Sequence, residues 1–194
     1  MLSDKSINSF LENIASKPLT PAAGSIAALS AASAAALTEM AANLTLKKPK
    51  YQDISDKMKE IAEECSSYRE IFLNDIDNDT KAFKKVIDSY LMKADTEIEK
   101  EIKQEELQKN FKTAIEIPLS MANNIVELIN IIRFVDKHGC ETSASDVKQA
   151  YILAESAVRS SIFLIKSNLV FVHDQDFQTN ISKKIDELEA ELEM

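Results

Sequence analysis

The chain has 194 residues, 45% of them hydrophobic and 28% charged, which fits one globular domain and argues against a disordered or fibrous protein. Only two glycines and four prolines are available for turns, which disfavours a sheet and predicts an all-α fold. The formal net charge of −9 argues against nucleic acid and anionic membranes as main partners, because both would repel an acidic surface.

Helical periodicity predicts about six helices, all within a single domain that covers residues 1–194. We expect Ser3 to cap the first helix, and Pro18 and Pro21 to separate the first helix from the second. Pro118 falls inside the fourth helix and should bend it. The predicted helices span about residues 4–16, 23–44, 53–92, 96–135, 143–172 and 177–193.

Long helices with short connections predict an up-and-down, antiparallel bundle. The third and fourth helices could each approach about 60 Å if unbroken, which is longer than a small bundle needs. Their ends would then protrude and pack on a second copy. The sequence therefore predicts a homodimer.

The second predicted helix consists almost entirely of small side chains, as in SIAALSAASAAALTEMAANLT (residues 25–45). Two interpretations are open at this point. The segment is either a poorly specified filler helix, or a helix whose backbone another group approaches very closely.

A carboxylate interrupts the apolar stripe of the third helix. Asp79 follows Phe72 and Ile76 and precedes Phe83 at helical spacing, while Asp77 lies on a flanking position. A core-facing carboxylate is unfavourable unless it is paired or functional. The ordinary explanation is that Asp79 is half of a buried ion pair, or that the stripe drifts and leaves Asp79 at its edge. The functional alternative is a carboxylate in a pocket between helices, either as a general acid/base or as a group that binds a polar heterocycle.

Cationic residues also occur near apolar segments. Arg159 lies within the apolar run of the fifth helix, where the ordinary explanation is a long side chain that reaches solvent. Lys47, Lys48 and Lys50 follow the second helix and form either a solvated turn or the place for an anionic group. Ser25 lies near a helix N-terminus, where backbone amides can bind an anion.

No metal site or resident cofactor is predicted. The two histidines, His138 and His173, lack the spacing of a metal motif, and no phosphate-binding loop or nucleophile elbow is present. The cysteines, Cys65 and Cys140, fit a reducing compartment, and no signal peptide or membrane-spanning run is evident. We therefore expect a cytoplasmic protein without membrane contacts.

Several motifs together resemble the formiminotetrahydrofolate cyclodeaminase and methenyltetrahydrofolate cyclohydrolase family. PAAGSIAAL (residues 21–29) is similar to its P-G-G-G-S-V-A-A-L opening, and MAANLT (residues 40–45), with the lysines after it, is similar to M-V-A-N-L-T-x-G-K-K-K-Y. DNDTKAF (residues 77–83) is similar to D-E-D-A-x-A-F. Further matches, in order, are Ala114 with Pro118, Ser145-Asp146, Ala157-Val158-Arg159 and Asn168-Leu169.

The resemblance implies an all-helical dimer that acts on one-carbon tetrahydrofolates as a hydrolase or a lyase. Water would open 5,10-methenyltetrahydrofolate, or N10 would displace ammonia from 5-formiminotetrahydrofolate, and neither reaction requires a metal or redox cofactor. Asp79 and Asp77 are the predicted catalytic residues. The predicted substrate-binding residues are Gly24, Ser25, Asn43, Lys48, Lys50 and Arg159.

The chain departs from the family pattern in its two glycine-rich signatures and after MAANLT, where Lys47 stands for a glycine and Pro49 for a lysine. Ala22 and Ala23 replace glycines, and Gly139 is followed by CET (residues 140–142), where G-N-x-N would be expected. If the replaced glycines require left-handed backbone, each alanine would cost about 1 kcal/mol. These departures motivate an alternative, a catalytically silent helical dimer that binds folate or a protein partner.

Overall fold

The computed structural model describes residues 1–16 and 21–193, so the predicted break at Pro18 lies outside the described residues. Within these ranges the elements are helical, which confirms the predicted all-α fold. Two 3-10 helices, Pro49–Ile54 and Glu141–Ser143, precede the third and fifth α-helices. The α-helices are α1 (Ile7–Ala15), α2 (Ala23–Leu46), α3 (Ser55–Tyr90), α4 (Glu97–His138), α5 (Ala144–Leu169) and α6 (Gln175–Glu193).

Helices α2, α3, α4 and α5 form a four-helix bundle in which each helix packs on the next and α5 packs on α2. Cross-helix hydrogen bonds show that α3 and α4 are antiparallel. Asn110 donates to Ser89 at 2.8 Å near one end, and Tyr68 donates to Glu127 at 2.6 Å toward the other. Helix α6 covers α4 and α5 from outside.

Helix α2 is buried on most of its circumference, because α3 and α5 pack against it on adjoining sides. Its small side chains allow both neighbours to approach closely, as close packing in protein interiors requires. This arrangement supports the close-approach interpretation of the small-residue segment. The buried alanines of α2 are Ala27, Ala28, Ala31, Ala32, Ala34, Ala35, Ala41 and Ala42.

Helix α1 begins three residues later than predicted, and Ser6 rather than Ser3 caps it. The Ser6 hydroxyl accepts a hydrogen bond from the Ser9 amide at 3.2 Å. Ser3 is engaged elsewhere, because its hydroxyl donates to Asp77 at 3.4 Å. The apolar side of α1 is also only partly buried, since Phe10 is covered while Ile7 remains exposed.

Helix α4 continues without interruption through Pro118, which is buried. Proline has no N–H, so the carbonyl of Ala114, one turn earlier, loses its usual helical donor. The side chain of Asn168 in α5 donates to that carbonyl instead, with Nδ2 3.3 Å from the oxygen. The proline therefore creates a specific link between α4 and α5.

By length and composition alone, α2 and α4 could each cross a membrane. About half of the apolar segment of each is buried inside the bundle, and core helices of soluble bundles meet the same criterion. This is weak evidence for membrane insertion. The absence of a membrane partner stays a prediction.

Candidate active site

A cavity of about 200 Å³ lies where the start of α2 meets α3, α4 and α5. Its wall is mostly apolar, with Phe83 from α3 and Leu164 from α5 among the lining residues. Asp79 is the one charged residue that the described lining contains, and Ser167 and Asn168 add polar groups. An apolar pocket with few polar groups is the usual form of a small-molecule site.

Gly24 and Asp79 make the closest approach in this cavity. A Cβ atom placed on Gly24 would overlap the carboxyl group of Asp79, because that group lies directly over the glycine. A glycine is thus required at position 24 because no side chain fits there, and not because of its backbone angles.

The alanines that replace family glycines also fit, since Ala22 has an extended φ of −140° and Ala23 starts the helix. The expected strain from those substitutions is therefore not present.

Ser25 links α2 to α3 one turn before Asp79. Its buried hydroxyl donates to the Ile76 carbonyl at 3.2 Å and lies 3.3 Å from the Thr80 hydroxyl. Thr80 also donates to the Ile76 carbonyl at 3.2 Å. These bonds hold the start of α2 against α3 at the level of Asp79. Ser25 therefore stabilises the packing beside the cavity, and its hydroxyl is already hydrogen-bonded to protein groups.

The environment of Asp79 makes its carboxyl group a weaker acid than an aspartate in water. Burial raises the pKa of Asp79 to about 6, and the negative charge of Asp75 adds to the shift. Within residues 1–16 and 21–193, no group donates a hydrogen bond to this carboxylate. A carboxyl group with a pKa near neutrality and free oxygens can accept and return a proton.

The start of α2 also lines this cavity. Ala22 caps the helix without a side-chain hydrogen bond, and the first amides of any helix lack intrahelical acceptors. Ala22, Ala23 and Gly24 line the cavity beside Asp79. The site can thus present a carboxyl group and N–H donors to one ligand.

Asp77 lies outside the cavity lining, although it is two residues from Asp79. Its buried carboxylate accepts hydrogen bonds from the Leu2 amide at 3.0 Å and from the Ser3 hydroxyl at 3.4 Å. Asp77 therefore holds the N-terminal segment against α3.

The remaining predicted binding residues lie away from the cavity within one chain. Gly24 lies at the N-terminal end of α2, and Lys48 follows its C-terminal end. The helix between them is about 36 Å long. Lys48 donates to the Thr142 hydroxyl at 2.7 Å, and Lys50 lies 3.4 Å from Glu141. Asn43 is exposed near the same end.

Arg159, also predicted to bind substrate, is exposed on α5 and pairs with Glu155 at 2.8 Å. The structure thus brings together Gly24, Ser25 and Asp79. Gly24 and Asp79 line the cavity and Ser25 lies next to it, whereas the other predicted site residues lie elsewhere: Asp77, Asn43, Lys48, Lys50 and Arg159.

Sequence reasoning did not select Phe83 or Asn168 as site residues, although both occur in the motifs that carried the family resemblance. Phe83 lies one turn after Asp79 on α3 and lines the same cavity. The signal for Asn168 was the proline at position 118, which predicts an unpaired carbonyl at Ala114. Only the packing of α5 on α4 shows which side chain pairs with it.

Metal binding has no evident place in the described ranges. No group of three or more histidine, cysteine, aspartate or glutamate side chains converges within them to hold an ion. Both cysteines are buried and free. The expectation that no metal or cofactor takes part stays a prediction.

The fold and the cavity define a helical-bundle protein with an acid of raised pKa in an apolar pocket. Residues 6–187 match the family model described as formiminotransferase-cyclodeaminase, and the chain belongs to this family. The predicted family resemblance is thereby confirmed.

The chain is similar to curated proteins and to a solved structure along nearly its whole length. It is 30% identical to a methenyltetrahydrofolate cyclohydrolase of Methylorubrum extorquens, over 98% of this chain and 92% of that protein. It is 24% identical to a formimidoyltransferase-cyclodeaminase of Gallus gallus, over 95% of this chain but 34% of that protein. The crystal structure of formiminotetrahydrofolate cyclodeaminase from Thermotoga maritima superposes with a TM-score of 0.90 at 27% identity, covering 100% of this chain and 92% of the other.

Proposed function

We propose that the protein is a one-carbon folate enzyme that hydrolyses 5,10-methenyltetrahydrofolate to 10-formyltetrahydrofolate. The observation that carries the proposal is Asp79, a carboxyl group of raised pKa in an apolar cavity at the start of α2. The similarity to a cyclohydrolase over 92% of that protein supports this reaction. The similarity to a solved cyclodeaminase supports cyclodeamination of 5-formiminotetrahydrofolate as the second candidate.

Asp79 suits the proton transfers of either reaction. In the hydrolysis, a water oxygen bonds to the methenyl carbon while Asp79 accepts the proton that the water releases. The protonated acid then returns that proton to N5 as the bond from N5 to the carbon breaks. The hydroxyl group of the adduct releases its own proton to solvent as it becomes the carbonyl of the N10-formyl group. In the cyclodeamination, Asp79 would accept the N10 proton as N10 bonds to the formimino carbon. It would then protonate the amino group of the adduct, which leaves as ammonia as its bond to the carbon breaks.

The charge of the substrate strengthens the role of Asp79 in hydrolysis. The methenyl bridge is a positively charged amidinium, so an ionised carboxylate in an apolar cavity attracts it more strongly than it would in water. The first amides of α2 lack intrahelical acceptors, so they can donate to oxygen atoms of the ligand or of the addition intermediate.

The homodimer belongs to the same proposal. The outward face of α2 has no charged side chain between positions 23 and 38, and Ile26 and Met40 are more than one third exposed there. An uncharged helix face with exposed apolar residues is typical of an interface between subunits. A two-fold pair formed through α2 would bring opposite ends of the two bundles toward each other.

This pairing would allow Lys48 and Lys50 of one subunit to contact the ligand bound by the other subunit. The lysines lie at the end of α2 opposite the cavity, so a lysine that reaches the ligand has to come from the partner subunit. In that arrangement the basic turn formed by Lys47, Lys48 and Lys50 holds the glutamate tail of the folate bound beside Asp79.

The experiment that tests the proposed function is a pair of assays on the purified protein. Loss of the absorbance of 5,10-methenyltetrahydrofolate measures hydrolysis, and ammonia release from 5-formiminotetrahydrofolate measures cyclodeamination. Turnover of the first compound supports the proposal, and turnover of the second alone would assign the other reaction. Binding without turnover of either would show a silent folate-binding relative, and no binding would leave a structural or protein-binding role.

A further inference from the structure

The link between Pro118 and Asn168 fixes the orientation of a polar group in the cavity wall. Pro118 cannot donate to the Ala114 carbonyl, and Asn168 Nδ2 does so at 3.3 Å. Both Ala114 and Asn168 line the cavity that contains Asp79. The amide side of Asn168 is therefore committed to α4, and the carboxamide cannot turn over without leaving that carbonyl unpaired.

This orientation leaves Asn168 Oδ1 as a hydrogen-bond acceptor. Among the described residues, none donates to that oxygen, although the side chain is half-buried. Asn168 is thus a fixed acceptor in an apolar wall, in the same cavity as the Asp79 carboxylate. Two acceptors in one small cavity complement a ligand edge that carries N–H donors.

We infer that Asn168 is a ligand-positioning residue whose Oδ1 accepts a hydrogen bond from an N–H group of the folate heterocycle. This inference rests on the proposed function, because the aminopyrimidinone edge of tetrahydrofolate offers N–H donors on a flat ring. Pro118 leaves the Ala114 carbonyl available to Asn168 Nδ2, whereas the contact of Oδ1 with the ligand does not require the proline.

A purely structural role for Asn168 makes a different prediction. If the side chain only satisfies the Ala114 carbonyl, its removal matters solely because a half-buried acceptor is left unpaired. Replacing Pro118 by alanine supplies the missing N–H from within α4. That replacement should then make Asn168 dispensable for stability and for ligand binding alike.

The test compares three variants, Asn168→Ala, Pro118→Ala and the double variant. We measure their melting temperatures, their Kd for tetrahydrofolate by titration calorimetry, and KM and kcat for 5,10-methenyltetrahydrofolate. Binding is measured well below the lowest melting temperature, so that differences in stability do not enter. Pro118→Leu supplies the same N–H if the alanine variant does not fold.

We expect the double variant to have nearly the melting temperature of the Pro118→Ala single variant. It should bind tetrahydrofolate about 3- to 10-fold more weakly than that single variant does, as expected for one lost hydrogen bond. KM should rise by the same factor while kcat holds, because a positioning bond is present in ground and transition states alike. Equal Kd values for the double and single variants would overturn the inference while leaving the function intact. Wild-type protein that neither binds tetrahydrofolate nor opens the methenyl compound would overturn both.

Discussion

The carboxyl group of Asp79 lies directly over the backbone of Gly24, so that no larger residue fits at position 24 without displacing the acid. This contact joins the first signature of the sequence, at the start of α2, to the acidic signature of α3. It also explains why a glycine persists there although neighbouring family glycines are replaced by Ala22 and Ala23.

Gly24→Ala should lower kcat at least 10-fold while changing the melting temperature little. The new Cβ atom overlaps the carboxyl group of Asp79, which has to rotate away, whereas alanine is intrinsically better in a helix than glycine by about 1 kcal/mol. Kinetics and thermal melting on the same preparation check this. If the loss acts through Asp79, the substitution should cost no further activity in an Asp79→Asn background.

Asp79→Asn should stabilise the fold at neutral and alkaline pH. The folded-state pKa of about 6 lies above the ordinary value of 3.8, so the folded protein favours the protonated acid, and this contribution to stability is lost as the pH rises through about 6. The asparagine variant carries no such charge. Its melting temperature should exceed that of the wild type at pH 8, with the difference disappearing below about pH 4. A lower melting temperature at pH 8 would mean that Asp79 forms a stabilising ion pair.

Replacing both Lys48 and Lys50 by alanine should weaken binding of a polyglutamylated folate more than binding of the monoglutamate. Exposed charge contacts are individually weak, and added salt should reduce the effect further. Lys57→Ala is a suitable control, because Lys57 pairs locally with Glu60 at 2.8 Å. Equal losses for both ligands would show that the basic turn does not hold the glutamate tail.

Light scattering should give a mass twice that of one chain at micromolar concentration. Adding charge to the outward face of α2, with Ser33→Glu and Met40→Glu together, should shift the protein toward monomer, because like charges would then oppose each other across the two-fold interface. Thr179→Glu, on the exposed surface of α6, is the matched control and should leave the mass unchanged. A monomeric wild-type protein would contradict the dimer and the shared site.

Helical periodicity was sufficient to predict the six helices, because few glycines and prolines leave little else for the chain to form. The helix boundaries were harder to predict, because several side chains could cap a helix and only the tertiary structure shows which one does. Ser3 has the chemistry of a helix cap, yet its hydroxyl bonds to Asp77, and Ser6 takes the capping role.

The site was predictable only where a stripe or a motif singled out one residue. Asp79 interrupted an apolar stripe, so its unusual environment could be anticipated, and the cavity around it agrees with that reading. Asp77 looks equivalent in the sequence, but a difference of two positions turns it toward the N-terminal segment. The link from Pro118 to Asn168 needed tertiary structure, because 50 residues separate the two positions in the chain.

The rate of opening of 5,10-methenyltetrahydrofolate as a function of pH, measured for the wild type and for Asp79→Asn, tests the central claim most directly. We predict that kcat/KM of the wild type falls as the pH drops through about 6, where Asp79 becomes protonated and can no longer accept a proton. The asparagine variant should lose this limb and about 10²–10⁴-fold in kcat, with a smaller rise in KM because the attraction of the carboxylate for the amidinium is also lost. A variant with wild-type kcat and the same acidic limb would contradict the claim that Asp79 performs the proton transfer.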